Sequence, residues 1–195
     1  MSFDFEGMSP EQIGDRLAHD FEYIQSNNGR LPARAYWARL RTFPTLFHEY
    51  IELAPADDGK GWEVLMDFKP ASDPFYGNLW GTQGMTVMMG QMAANLVSQH
   101  AADESGIPVK QDDFRLCAVV TDAKSPRHHA NVNVFGRLLP GKPKTYNGAW
   151  LSVDKLDDLA VIPLCRTYLK QVTAVLLHGA SPTFVEHREF FEYLD

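Results

Sequence analysis

The strongest constraint on the fold is a long stretch of the chain without charge. Between Asp73 and Asp103 the sequence contains no Asp, Glu, Lys or Arg. Apolar residues recur inside it at helical spacing, at Met85, Met88, Met89, Met92 and Leu96. A helix that lacks a charged face must be covered by neighbouring elements. The stretch therefore predicts a central helix over residues 85–98.

Alternating apolar residues predict the first strand. Trp62, Val64, Met66 and Phe68 point to one side, while Glu63 and Asp67 point to the other. Three further strands are expected at residues 114–121, 130–138 and 149–153.

Helices are predicted at both ends of the chain. Ser9, Pro10 and Gln12 have the spacing of a helix N-cap, first turn and capping box. A second helical stretch is expected from about Pro32 to Pro44. Near the end, one helix is predicted from residue 163 to 179 and another from residue 181 onwards.

This order of elements predicts an α+β fold, because strands that follow one another through short turns favour antiparallel pairing. We expect an antiparallel sheet of about four to five strands, packed on the charge-poor central helix and flanked by N- and C-terminal helices. At 195 residues the chain predicts one globular domain over residues 1–195.

Charge and cysteine content narrow the function and the compartment. The net charge of −7 argues against a general nucleic-acid binder. Cys117 and Cys165 lie in apolar runs and are expected to be buried free thiols without a disulfide. No export signal or membrane span is recognised. These features predict a soluble acidic protein of the cytoplasm, or of a host cell's cytoplasm.

Two residues suggest a hydrolase. His129 opens a predicted strand, and Asp154 ends the next one. This arrangement resembles that of the transglutaminase and papain-like cysteine hydrolases, which implies His129 as general base and Asp154 as the residue that orients it. The nucleophilic cysteine of that family would fall within residues 85–90, where the sequence has Met, Thr, Val and Gly.

A second resemblance concerns the predicted central helix. Asp73-Pro74-Phe75-Tyr76-Gly77, followed by a glycine-punctuated loop, is similar to the entry of the central helix in hotdog-fold dehydratases and thioesterases. That family uses a histidine or a carboxylic acid there. The region offers Asn78, Gly90 and Gln91, none of which transfers a proton readily.

Metal binding is the third catalytic possibility. His128 and His129 are adjacent, but neighbours on a strand point to opposite faces. Further candidate ligands are His48, Glu49, Glu52 and His100. Because no recognised ligand spacing joins them, neither a metal nor a cofactor is predicted.

Two basic segments stand out in this acidic sequence. The first contains Arg30, Arg34, Arg39 and Arg41 with the aromatic residues Tyr36 and Trp37, and the second contains Lys124, Arg127, Arg137, Lys142 and Lys144. Such side chains bind phosphates, single-stranded bases or protein partners. The alternative is that they pair with nearby acids on the protein surface.

The main functional hypothesis is a non-catalytic binding protein: a regulator, inhibitor, adaptor or assembly component that contacts a protein partner through the two basic segments. The first alternative is a hydrolase that uses His129 and Asp154. The second is a nucleic-acid- or phosphate-binding protein. No membrane partner is expected, and the sequence does not fix the oligomeric state.

Overall fold

The computed structural model describes residues 7–26, 45–73, 75–87, 93–105, 108–122, 130–144 and 148–187. The chain divides into two compact units, Met1–Arg39 and Leu40–Asp195, so the prediction of one domain stays a prediction.

The first unit contains helix α1, Pro10–Ser26. The Ser9 backbone N–H donates to Gln12 Oε1 over 2.8 Å, and the Gln12 N–H donates to Ser9 Oγ over 3.3 Å. These reciprocal bonds confirm the predicted capping box.

The second unit contains eight described strands and two described α-helices. The strands are β1 Thr45–Pro55, β2 Trp62–Phe68, β3 Trp80–Gly81, β4 Gln83–Thr86, β5 Arg115–Asp122, β6 Ala130–Leu138, β7 Ala149–Ser152 and β8 Thr183–His187. The helices are α2 Ala93–Ser105 and α3 Pro163–His178, and short 3₁₀ helices lie at Gln111–Asp113 and Val153–Asp158.

Strand β1 organises the sheet. Along one edge it runs parallel to β6 from Thr45 to Leu53. Along the other edge it pairs with β4 near its beginning and with β2 near its end, both antiparallel. β1 and β2 pair only near the end of β1, and beyond that point they separate. Residues 80–86 lie in this gap: β3 pairs with the end of β2, and β4, which follows after Thr82, pairs with the beginning of β1. The main strand order is β3-β2-β1-β6-β5-β8, and β7 pairs with β2.

The two helices lie on opposite faces of this sheet. Alternation along β1 directs Tyr50 toward α2, where it packs with the buried Val97 and Ala101. Ile51 points to the other face and joins the larger core, which includes Tyr168 and Val172 of α3. The unit is therefore a helix–sheet–helix sandwich, and none of the described helices is long and apolar enough to cross a membrane.

The predicted fold class is wrong in the number of strands and in their pairing. The structure has a mixed sheet of eight strands where four to five antiparallel strands were expected. Strand β1 was missed because His48, Glu49 and Glu52 interrupt its apolar pattern. The charged side chain of Glu52 is nevertheless buried.

The predicted central helix is also misplaced. Residues 83–86 form β4, and α2 begins only at Ala93. A short apolar run fits a strand as well as a helix, so its periodicity did not separate the two. The predicted helix after residue 181 is wrong as well: Thr183–His187 pairs with β5 as an edge strand. The predicted second helical stretch lies outside the described residues.

Candidate functional site

The sheet face that carries α2 contains a group of polar side chains, which we call the α2 cluster: Tyr50, Glu52, Asp67, Gln83, His100, Glu104 and Arg137. Tyr50 Oη lies 3.2 Å from His100 Nδ1, and the two rings meet edge to face at 5.7 Å. Burial raises the pKa of Tyr50, with the negative charge of Glu52 as the next cause. Tyr50 therefore remains a neutral phenol that fixes the His100 ring.

Glu52 and Arg137 form a buried ion pair in this cluster. They are directly paired residues of β1 and β6, and the guanidinium donates to Glu52 Oε1 through both Nε and Nη2. Arg137 also lies over the Phe114 ring at 5.1 Å. Burial raises the pKa of Glu52, and the charge of Arg137 opposes this rise. Arg137 is thus a structural cation, and its predicted role on a binding surface is not supported by its 4% exposure.

Asp67 is a carboxyl of the α2 cluster that combines partial exposure to solvent with a raised pKa. Burial raises its pKa, and the charge of Glu104 acts in the same direction, whereas Lys69, Gln83 and His100 oppose the rise. A carboxyl group whose pKa moves toward neutrality is suited to accept and return a proton.

Asp67 and Gln83 also carry unused hydrogen-bonding capacity. The Gln83 amide lies beside the Asp67 carboxyl, yet neither Asp67 Oδ1 nor Gln83 Nε2 makes a hydrogen bond of ordinary geometry to any described residue. Buried polar atoms without partners cost free energy, so a ligand or water that satisfies them is favoured there.

The cluster lies where β1 and β2 part. β3 brings Gly81 opposite Asp67, and β4 places Gln83 opposite Tyr50. Asp67, His100 and Glu104 are each partly exposed, so solvent reaches the edge of the cluster. Among the described ranges, no group of three or more His, Cys, Asp or Glu side chains is arranged to hold a metal ion.

Most residues of the α2 cluster are not predicted as functional by the sequence patterns. Sequence patterns indicate His100 and Glu52 only as possible metal ligands, and they place Asp67 only on the polar side of a strand. One signal was available, since acids return at Asp103 and Glu104 directly after the long uncharged stretch.

The predicted His129–Asp154 dyad stays a prediction, because His129 lies outside the described residues. Asp154 is exposed in the 3₁₀ helix Val153–Asp158. Its carboxylate lies beside Gly61, near the end of β1 that pairs with Trp62. Ala130, which follows His129, pairs with Thr45 at the other end of β1. The two ends of this 11-residue strand are roughly 30 Å apart.

The first basic segment lies outside the described residues, as do Lys124 and Arg127. In the second segment, Lys142 Nζ contacts Asp57 at 2.6 Å and Glu63 at 2.7 Å. Lys142 therefore pairs with nearby acids, which is the alternative that the sequence analysis gives for the basic segments. The described members of the two segments are Arg137, Lys142 and Lys144. Of these three, Lys144 is exposed and takes no part in the ion pairs of the other two. The prediction of buried free thiols at Cys117 and Cys165 is confirmed.

Comparison with known proteins identifies the fold. No protein-family model and no curated protein matches the sequence. Among solved structures, a mutT/nudix family protein from Listeria innocua is similar with a TM-score of 0.59 and 14% identity, over 71% of this chain and 98% of that chain. The NUDIX domain of Shewanella oneidensis NrtR, complexed with ADP ribose, gives a TM-score of 0.54 and 12% identity over 72% and 96%.

A Nudix hydrolase from M. smegmatis, RenU, is similar with a TM-score of 0.52 and 14% identity, over 70% of this chain and 88% of that chain. The chain therefore has a Nudix fold. This result overturns the hypothesis of a non-catalytic regulator or adaptor. That hypothesis depended on the two basic segments and on the missing nucleophile or acid of two other enzyme families, and the chain has the fold of neither family.

Proposed function

We propose that this protein is a hydrolase and that its substrate is a nucleoside diphosphate linked to a second group. The reaction class is suggested by a structure of similar fold that is named a Nudix hydrolase, RenU. The substrate class is suggested by ADP ribose in the NUDIX domain of NrtR. The cytoplasm is our proposed location, since buried free thiols suit a reducing compartment.

The observation that carries the proposal is the α2 cluster at the parting of β1 and β2. Asp67 has a raised pKa, an oxygen without a hydrogen bond and the carboxylate of Glu104 close enough to influence it. Asp67 Oδ1 and Gln83 Nε2 are covered from solvent without a hydrogen bond of ordinary geometry, and such atoms are costly in a purely structural core. Perturbed carboxyls near solvent are typical of catalytic sites.

The proposed reaction is attack of water on one phosphorus of the diphosphate. The water oxygen forms the new P–O bond, the bond from that phosphorus to the bridging oxygen breaks, and the leaving phosphate takes the bond's electron pair. Asp67 accepts the proton of the attacking water and later releases it. Gln83 donates a hydrogen bond to a phosphate oxygen, and the Tyr50–His100 pair holds the wall of the site.

The first test is hydrolysis of ADP ribose by the purified full chain, followed by ³¹P NMR with and without an added divalent cation. We expect AMP and ribose 5-phosphate. Asp67→Asn should lower kcat about 100-fold or more, the usual loss when a general base is removed. The control is Asp112→Asn, which changes an exposed carboxyl outside the α2 cluster and should leave kcat unchanged.

Two results would contradict the proposal. One is the absence of turnover with ADP ribose and with a panel of other nucleoside diphosphate conjugates. The other is equal kcat for Asp67→Asn and Asp112→Asn, which would place the chemistry elsewhere in the protein.

A further inference from the structure

A cavity lies away from the α2 cluster, between α3 and the 3₁₀ helix Val153–Asp158. We call it the α3 groove; its volume is about 300 Å³. This lies at the lower end of the volumes of small-molecule sites. Its apolar lining includes Leu156, Leu169 and Ala174. Its basic lining, which we call the polar wall, consists of Arg166, Lys170 and His178.

The polar wall is a regular feature of α3. Arg166, Lys170 and His178 are separated by multiples of four residues, so they occupy one stripe of the helix. Arg166 and Lys170 bring two positive charges to this stripe. The opposing acid is Asp157, whose carboxylate is 3.7 Å from Arg166 and 82% exposed. Such an exposed pair contributes little free energy, so Arg166 remains able to attract a second anion.

Two polar atoms beside the groove lack partners. Thr173 Oγ1 and Arg166 Nε are both covered from solvent and make no hydrogen bond to any described residue. The other end of the same guanidinium is fixed, because Nη2 donates to the Leu159 carbonyl over 2.8 Å. Thr173 lines the groove, and threonine in a helix readily occupies two χ1 rotamers, so a change of rotamer reorients its hydroxyl.

We propose that the α3 groove binds a small amphipathic anion, in which a carboxylate or phosphate is attached to an apolar body of about the size of a phenyl ring with a short chain. The anionic group contacts Lys170 and Arg166 and accepts a hydrogen bond from Thr173. The apolar body covers Leu156 and Leu169. This site is independent of the proposed hydrolase activity, because it lies on the opposite face of the sheet.

The test is titration of the full chain with 4-phenylbutyrate, phenyl phosphate and the neutral 4-phenylbutyramide, with backbone amide NMR shifts as the readout. We expect both anions to shift residues of α3 and to compete with each other, and the amide to bind at least tenfold more weakly. Binding of only one anion identifies which anionic group is accepted. Equal affinity for the neutral amide, or no shifts at millimolar concentration, would overturn the proposal.

Variants separate a binding role from a structural one. Lys170→Gln changes an exposed side chain and should weaken anion binding five- to tenfold, whereas Lys60→Gln, exposed at the β1–β2 turn, should not change it. Thr173→Val should also weaken binding while leaving the unfolding temperature unchanged or higher, since its hydroxyl has no partner to lose. Unchanged affinity in both α3 variants would place the bound anion elsewhere.

Discussion

Glu52 and Arg137 occupy directly paired positions on two parallel strands, and their ion pair is almost completely buried. The guanidinium meets the carboxylate through two donors and also covers the Phe114 ring. This pair joins β1 to β6 in the centre of the sheet and belongs to the α2 cluster. Its removal therefore tests how the site is held.

Arg137→Met should destabilise the protein by about 3–5 kcal/mol, because it leaves the Glu52 carboxylate buried without a partner. The double variant Glu52→Leu with Arg137→Met should lose less than the single variant, since no unpaired charge remains. Urea unfolding measures both free energies. A double variant that is less stable than Arg137→Met would show that the pair itself, and not the orphaned charge, supplies the stability.

Tyr50→Phe removes the hydroxyl that meets His100 Nδ1 and keeps the ring in its packing. The free energy of unfolding should fall by about 1 kcal/mol, the usual contribution of one hydrogen bond. In the hydrolase assay, kcat should fall while the pH profile keeps its shape, because the tyrosine positions a ring and does not transfer the proton. Loss of the acidic limb of the profile would contradict that assignment.

Asp67 makes stability depend on pH in a defined direction. Its pKa is raised above 3.8 in the folded protein, so the folded state holds the proton more tightly than the unfolded chain. Stability is therefore greater below the unfolded pKa and declines as the pH rises toward the folded pKa. Asp67→Asn should remove this decline, as measured by urea unfolding between pH 3 and pH 7. If stability changed with pH in the same way for the variant and the natural sequence, the raised pKa of Asp67 would be contradicted.

The two thiols should be unreactive while the protein is folded. Burial raises the pKa of Cys117 to about 11 and that of Cys165 to about 12, so almost no thiolate is present at pH 8. A chromogenic disulfide reagent should label neither thiol in the native protein and both in denaturant. Rapid labelling of either thiol in the native protein would show that its surroundings open.

Much of the second unit was predictable, because local patterns and tertiary packing agree there. Strands β2, β5, β6 and β7 lie within one residue of their predicted ranges, and α3 ends at Gly179 in the left-handed conformation that glycine favours.

The centre of the sheet was not predictable for a physical reason. β1 carries Glu52, which a pattern assigns to solvent, and only the distant Arg137 makes its burial tolerable. The candidate catalytic residues were not predicted for the same reason, because they depend on contacts between residues far apart in the sequence. Asp67 and Gln83 are brought together by the pairing of β3 with β2 and of β4 with β1. Helix α2 adds Glu104 from above the sheet, and no local spacing in the sequence records these long-range contacts.

Gly136 tests how closely α3 packs on this sheet. A Cβ atom at this position would lie 2.6 Å from Val172 Cγ1, 3.0 Å from Leu176 Cδ1 and 3.1 Å from Cys117 Sγ. Gly136→Ala should therefore force the helix away from β6 and destabilise the protein by about 1–3 kcal/mol. Gly141→Ala is the matched control, because nothing lies within 4 Å of its added methyl group. In thermal and urea unfolding, Gly136→Ala should be clearly less stable than Gly141→Ala. Equal stability of the two variants would mean that α3 does not pack on β6 at this distance.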